Sequence, residues 1–354
     1  MNLYLPVPAS GNTFDIGDPG WCDVSEKWPV DSWPRFIQQG TRECVSTLLS
    51  GVVPVSCIAR SLQQHVRKPY PMEIKITTLC ENTVARSGFA GEWGLSVLVE
   101  VDDQAILFDT GAESAAVKNA DRIGFDLQTI DTIILSHAHQ DHTGGVREVL
   151  KRTKRPRIIT HPALWFPKFK RGAAHETMKF NGVPFRREEI EKNADLYLSA
   201  RPVELSDSVT TTGEISQTTG FETVGDTYFI EENGALRPDS FADEQALIIQ
   251  TDQGLVIVSG CAHRGIINTI RHARDVTGEK TVHTVIGGTH LYEKRGPDVD
   301  KTISELLEMQ IQNIGVSHCT GLDAAMKLAD ALGDRFFLNN AGHVLTLTFD
   351  DSRR

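Results

Sequence analysis

The sequence predicts an α/β protein, and three observations carry the prediction. Short runs such as Glu73 to Leu79, which alternates, and Leu255 to Ser259, which is almost wholly apolar, read as strands. In the second half several apolar runs end in Gly or Ser, then a histidine, then a stretch of helical periodicity, a strand-to-helix plan. The third observation is the stretch Ser136-His137-Ala138-His139-Gln140-Asp141-His142-Thr143-Gly144-Gly145, which follows the apolar run Thr132 to Leu135 and closes on a glycine pair.

In chain order, Met1 to about Pro34 is rich in Gly, Pro, Asp and Trp and predicts an irregular arm. Trp21, Trp28 and Trp33 pin that arm to the main domain or cover a neighbouring subunit or the active-site mouth. From Ser32 to about Gln64 an apolar face of Phe36, Ile37, Val45, Leu48 and Leu49, broken at Gly51 to Pro54, predicts two helices. Pro69 and Pro71 mark a boundary, so 1–71 is an N-terminal extension and 72–354 the catalytic domain.

Beyond it, Glu73 to Leu79 is a strand, and Leu95 to Glu100 with Gln104 to Phe108 is a hairpin. A helix over Ser114 to Ile123, a strand over Thr132 to Leu135, a helix over Thr143 to Lys151 and a strand over Arg157 to Thr160 come next. Between Pro167 and Arg187, Lys168, Lys170, Arg171, Lys179, Arg186 and Arg187 are interleaved with Phe169 and Phe180. Such a stretch is either a solvated insertion or a lid for an anionic or planar ligand. Strands are expected at Val203 to Leu205, Val209 to Thr212, Ile215, Ala246 to Gln250, Leu255 to Ser259, Thr284 to Ile286 and Asn313 to Val316. Helices are expected from Ile266 to Val276 and from Ala324 to Leu332, with closing strands at Phe336 to Leu338 and Val344 to Phe349.

The chemistry concentrates in the histidine-rich loop. Imidazole and carboxylate suit zinc, iron or manganese. In an extended segment His137 and His139 project to one side and can share an ion, because side-chain direction alternates with period two. Asp141 and His142 follow where the chain turns toward a helix and can reach a second ion or its water. His263, His290 and His318 each follow an apolar strand and its Gly- or Ser-containing turn, which puts them at the sheet edge where α/β layers bind ligands. Cys261 either binds metal as a thiolate or fills space behind the ligands. His290, and Thr320 and Gly321 at a turn into a helix, are candidates to bind substrate, the last two through backbone N–H groups offered to a phosphate.

The run HAHQDH, with the upstream Asp109-Thr110-Gly111 turn, resembles the metallo-β-lactamase superfamily. That resemblance implies an αββα sandwich with a dinuclear metal site at one edge. The set Leu79-Cys80-Glu81-Asn82, GEWGLS, LFDTG, SHAHQDHTGG, EQAL, GCAH, IGGTHL and HCTG is similar to a subfamily of metal-dependent hydrolases that also includes a synthase of a dihydropterin ribofuranosylaminobenzene 5'-phosphate. It covers about Met72 to Phe349 and maps the last family histidine onto His318. The family's Gly-Asp turn is replaced here by Gly260-Cys261, Trp93 stands where a histidine is expected, and no histidine falls near Asp243-Glu244-Gln245. Asp109 and Glu244 are candidates to back the ligands or to join them.

Together these readings give His137, His139 and His263 to one ion and Asp141, His142 and His318 to the other, two divalent ions with zinc first and iron or manganese as alternatives. Two ions sharing a water bring its pKa toward neutrality, so a metal-bound hydroxide could attack a phosphoester, lactone or related electrophile, with Asp141 handling the proton. A synthase or transferase working on a phosphorylated pterin-like or aromatic ligand, and a non-catalytic sensor, are the alternatives. The net charge of -11 excludes non-specific nucleic-acid binding as the main task, while metal ions still admit an anionic substrate. Six scattered cysteines, no signal-like N-terminus and no membrane-length apolar run predict a cytoplasmic protein off the membrane, with homo-oligomerisation through the extension a further expectation.

Overall fold

The computed structural model describes residues 71–172, 177–294 and 296–350. The arm and two helices expected before Pro71 lie outside the described residues. The chain lays down β1 (Met72–Cys80), then the predicted hairpin of β2 (Ser96–Val101) and β3 (Gln104–Phe108), in which Val97 faces Phe108. Helix α1 (Ala115–Ile123) leads to β4 (Thr132–Ile134), parallel to β3. Two short helices follow, α2 (Gln140–Thr143) and α3 (Val146–Leu150), and then β5 (Arg157–Thr160).

The middle of the domain runs through β6 (Lys168–Arg171), β7 (Met178–Phe180), α4 (Arg187–Glu191), β8 (Asp195–Leu198), β9 (Val209–Thr211), β10 (Tyr228–Glu232) and β11 (Ala235–Pro238). The strand-to-helix plan then appears as β12 (Leu247–Thr251), β13 (Gly254–Ser259), α5 (Ile266–Thr277), β14 (Val282–Gly288), α6 (Gly296–Glu308), β15 (Asn313–Ser317) and α7 (Leu322–Leu332). β16 (Phe336–Leu338) and β17 (Val344–Phe349) close the domain.

Two large sheets result, a seven-stranded one ordered β17-β1-β2-β3-β4-β5-β8 and a six-stranded one ordered β16-β15-β14-β13-β12-β9. Period-two alternation sorts their side chains into three cores. Ile74, Ile76, Val97, Val99, Ile106 and Phe108 from the first sheet meet Leu247, Ile249, Val256, Val258 and Ile286 from the second. The opposite face of the first sheet, with Leu98, Leu107, Ile133 and Ile158, packs on Ala116, Ala120, Val146 and Val149 of the helices. The outer face of the second, with Ile248, Ile257 and Val285, packs on Ile267, Ile270, Ile303 and Leu328. Helix, sheet, sheet, helix is therefore the layer order, the αββα sandwich expected from the sequence. Each fully buried aliphatic side chain contributes roughly 1.5–3 kcal/mol to it.

Several expectations are corrected. The helix from Thr143 to Lys151 forms as α2 and α3, parted at Gly144-Gly145. The cause is close approach, because a Cβ on Gly144 would collide with the Ala112 carbonyl and one on Gly145 with that of Thr110. Val203 to Leu205 and Ile215 are not strands, since Glu204 makes only an isolated bridge to Thr210. The basic, aromatic stretch contributes β6 and β7 to a separate four-stranded sheet ordered β11-β10-β6-β7. Its β10–β11 hairpin was announced by Asn233-Gly234, both at positive φ, the strongest short hairpin signal, which the periodicity reading passed over. No helix among the described residues is long and apolar enough to cross a membrane.

The pressed glycine contact makes a stability prediction. Gly144→Ala should lower unfolding free energy by about 1–3 kcal/mol through overpacking against Ala112. Chemical denaturation of the two proteins checks it, and equal midpoints would show that the loop can give way.

Candidate metal centre

The loop that leaves β4 sets its ligands by backbone bonds. Ala138 N donates to Asp243 Oδ2 at 2.8 Å, and Ser136 N donates to Asp109 Oδ1 at 2.7 Å, so both ends of the His137 peptide unit are fixed. His139 then caps α2, its carbonyl accepting from His142 N and Thr143 N. This turn aims His137, His139, Asp141 and His142 into one space. Across it stand the ends of β13, β14 and β15, which deliver Cys261 and His263, His290, and His318 with Cys319.

Two ligand sets converge. Ring nitrogens of His137, His139 and His263 lie within 4.8 Å of one another, as do ligand atoms of Asp141, His142 and His318. The imidazoles are close-packed, with ring centroids 4.7 Å apart for His137 and His139 and 4.8 Å for His139 and His263. His263 Nε2, His137 Nε2 and Asp141 Oδ1 are buried without any hydrogen-bond partner. Buried polar atoms left unpaired are costly, and three of them facing one space are accounted for by cations in it. The donor set therefore fits metal.

Electrostatics point the same way. Burial first, then repulsion from the neighbouring imidazoles, holds His137 and His263 well below the ordinary histidine pKa. Burial does the same to His139, outweighing Asp141. Neutral rings keep the lone pairs that a cation needs. His142 is the exception: burial pulls its pKa down, but Asp109, whose Oδ2 accepts from His142 Nδ1 at 2.7 Å, more than reverses this. Burial would raise Asp141, yet the hydrogen bond from His318 and the surrounding imidazoles win and keep it ionised. A carboxylate held in its charged form among imidazoles can join them in holding a cation.

Behind the ligands lie carboxylates. Asp109 also accepts from the Ser136 hydroxyl at 2.7 Å; Glu244 accepts from the backbone N–H of His263 and Arg264; Glu81 accepts from His318 N at 2.6 Å. Asp109 and Glu244 therefore back the ligands, and neither belongs to a convergent set. Asp243, Glu81 and Lys168 are functional residues that the sequence reading missed. Lys168 is 2% exposed and bridges Asp239 and Asp243, each at 2.7 Å.

The centre opens into a pocket of about 300 Å3 lined by, among others, Trp93, Lys170, Asn181, Tyr228, His290 and Tyr292. Burial lowers His290 to about 4, and its Nε2 lies 3.5 Å from the Tyr228 hydroxyl. Thr320 and Gly321 are not among the residues that line this pocket: Thr320 is buried and accepts from the Thr289 hydroxyl, and Gly321 packs on Tyr292. Cys261 does line it, with Sγ 3.0 Å from His142 Nε2.

The profile of the metallo-β-lactamase superfamily matches residues 94–258. The 7,8-dihydropterin-6-methyl-4-(β-D-ribofuranosyl)-aminobenzene-5'-phosphate synthase of Methanocaldococcus jannaschii is 33% identical over 292 residues, 77% of this chain and 96% of that protein. The chain belongs to the metallo-β-lactamase superfamily. An uncharacterized protein of the same organism is 25% identical over 272 residues, 76% of this chain and 99% of its own length. Among solved structures, Tm1679, a metal-dependent hydrolase of the β-lactamase superfamily, aligns at a TM-score of 0.67 and 26% identity, covering 78% of this chain and 99% of that one. Fold and relatives make this superfamily member an enzyme. Where the superfamily places a histidine near Asp243-Glu244-Gln245, this member has instead the carboxylates that hold Ala138, His263 and Arg264.

Lys168→Met should leave Asp239 and Asp243 buried without their cation and cost about 3–5 kcal/mol. Adding Asp239→Asn to it should recover part of the loss in the same denaturation experiment. Full stability of the single variant would show that the pair is solvated in solution.

Proposed function

We propose that this enzyme is a metal-dependent hydrolase of small phosphoesters or related anionic electrophiles, working with two divalent ions, zinc first. The facing sets His137/His139/His263 and Asp141/His142/His318, with three of their buried atoms otherwise unpartnered, carry the reading. Divalent ions held there would activate water near neutral pH and polarise a phosphoryl or carbonyl oxygen. The chain's own residues do the rest. Lys170, its ammonium 2.6 Å from Glu293 and 3.1 Å from the Tyr292 hydroxyl, is the pocket's positive charge for an anionic group. Trp93, Tyr228 and Tyr292 offer an apolar wall to a planar one. The described cysteines, Cys80, Cys261 and Cys319, are all unpaired, which supports a cytoplasmic address.

A second reading has its own support. The synthase relative at 33% identity is named for a dihydropterin joined to a phosphorylated ribofuranosyl-aminobenzene, and the aromatic wall beside Lys170 suits such planar, anionic ligands, so a synthase or transferase reaction on a phosphorylated pterin-like or aromatic ligand is the alternative.

His139→Ala decides the core claim. Metal affinity should fall by at least the roughly 10–100-fold that losing a ligand's partner costs, and turnover of a phosphoester panel should fall with it. Full metal content with unchanged turnover would overturn the reading. Inert phosphoesters and lactones, together with product from a dihydropterin and a phosphorylated ribofuranosyl-aminobenzene, would replace it by the synthase.

A further inference from the structure

We propose that Cys261 and Cys319 form, with His318, a sulfur-bearing ligand set on the far wall of the centre, so that one ion is held by thiolate and zinc is selected over manganese and magnesium. The inference rests on the metal reading above and adds to it the donors that choose the metal.

The two sulfurs and a His318 ring nitrogen lie within 4.8 Å of one another. Cys261 also belongs with His137 and His142 to a second such set, its Sγ 3.0 Å from His142 Nε2, and so stands at the junction of the two sites. Both thiols are buried, at 3% and 2% exposure, yet both line the pocket beside imidazoles, where a packing cysteine would sit among aliphatic side chains. Their turns are held together: Cys319 Sγ donates to the Cys261 carbonyl at 3.4 Å. Gly288, at the end of β14, makes this approach possible. A Cβ there would meet Cys319 Sγ at 2.6 Å and Cys261 Cα at 3.2 Å, so any other residue would push the two cysteine turns apart.

The chemistry follows from donor type. Across the convergent sets the donors are imidazole and thiol, with Asp141 the single carboxylate. Nitrogen and sulfur suit zinc and cobalt, whereas manganese and magnesium need oxygen-rich shells. Burial pushes the Cys261 thiol up, so without metal it keeps its proton. As each metal–sulfur bond forms, one proton leaves the thiol for solvent.

Cobalt(II) loading of the full-length protein tests this without relying on activity. Wild type should show intense near-ultraviolet sulfur-to-cobalt charge-transfer absorption, reduced in Cys261→Ser and in Cys319→Ser and absent from the double variant. Zinc affinity should fall by at least about 10-fold in each single variant, with manganese affinity little changed. Zinc-edge X-ray absorption of wild type should detect sulfur scatterers, which keeps the test open if a variant fails to fold. Cobalt or zinc bound with no sulfur signature would overturn the inference and leave the two-ion hydrolase standing, and a band untouched by Cys319→Ser would remove Cys319 from the set. Failure to bind any divalent ion would overturn both.

Discussion

The constraint on which this molecule depends is that inward-facing lone pairs can be held only from behind. A ligand whose inner nitrogen is reserved for a cation has its backbone and its outer nitrogen left for anchoring. Four buried carboxylates do that anchoring. Asp109 takes Ser136 N, the Ser136 hydroxyl and His142 Nδ1; Asp243 takes Ala138 N; Glu244 takes His263 N and Arg264 N; Glu81 takes His318 N and Thr83 N. Every strand end that carries a ligand to the two proposed ions is thus tied to an acidic side chain a layer further out. A charge-assisted hydrogen bond of this kind is roughly twice as strong as a neutral one, and it fixes direction as well as distance.

The frame also explains how the site tolerates its own backbone. Asp109, Phe241, Ala262, His290 and His318 all adopt left-handed φ between 49° and 58°. Each such non-glycine residue costs on the order of 1–3 kcal/mol and persists only where its surroundings over-determine it. Asp109, Ala262 and His318 sit at strand-to-loop turns held by those carboxylates, and Phe241 N donates to Asp239 Oδ1. Phe241 shows the return on the strain: its ring stacks on His263 at 3.8 Å and lies edge-on to His139, closing the space beside two ligands. Lys168, over the same ring at 4.8 Å, bridges Asp239 and Asp243, so the loop that clamps Ala138 has a cation buried between two of its carboxylates.

This division between ligands and frame sets what the sequence could reveal. The loop from His137 to His142 was legible because its ligand types are adjacent in the chain, and His263 and His318 because each ends an apolar strand. The frame was not, because it is made at long range: Ala138 meets Asp243 across 105 positions and His318 meets Glu81 across 237, and a lone acidic residue has no local signature. Lys168 was hidden for the same reason, since within a basic run nothing distinguishes the one lysine that is buried. Thr320 and Gly321 were singled out because a Gly at a helix start suggests an anion site; in the structure that turn packs on Tyr292 and Thr289. The αββα sandwich was legible through the resemblance that the histidine loop carries, while α6 was missed because Gly296-Pro297 reads as a turn although proline suits a first helical turn.

Trp93 joins the frame to the pocket. Where a histidine is expected from the family pattern, its indole Nε1 donates to Asp141 Oδ2 at 3.0 Å, and His318 Nε2 stands 3.2 Å from the same oxygen. Both contacts fall on one oxygen and leave Oδ1 as the free one. A histidine there would present a further lone pair; a tryptophan has only a donor, so it orients the carboxylate and adds no ligand. The same indole is 56% exposed at the mouth and meets Tyr292 edge-on at 6.2 Å. Its replacement of a ligand-type side chain therefore lowers the donor count on the near wall while extending the aromatic surface that a substrate meets. The thiols of Cys261 and Cys319 line the same pocket beside His318.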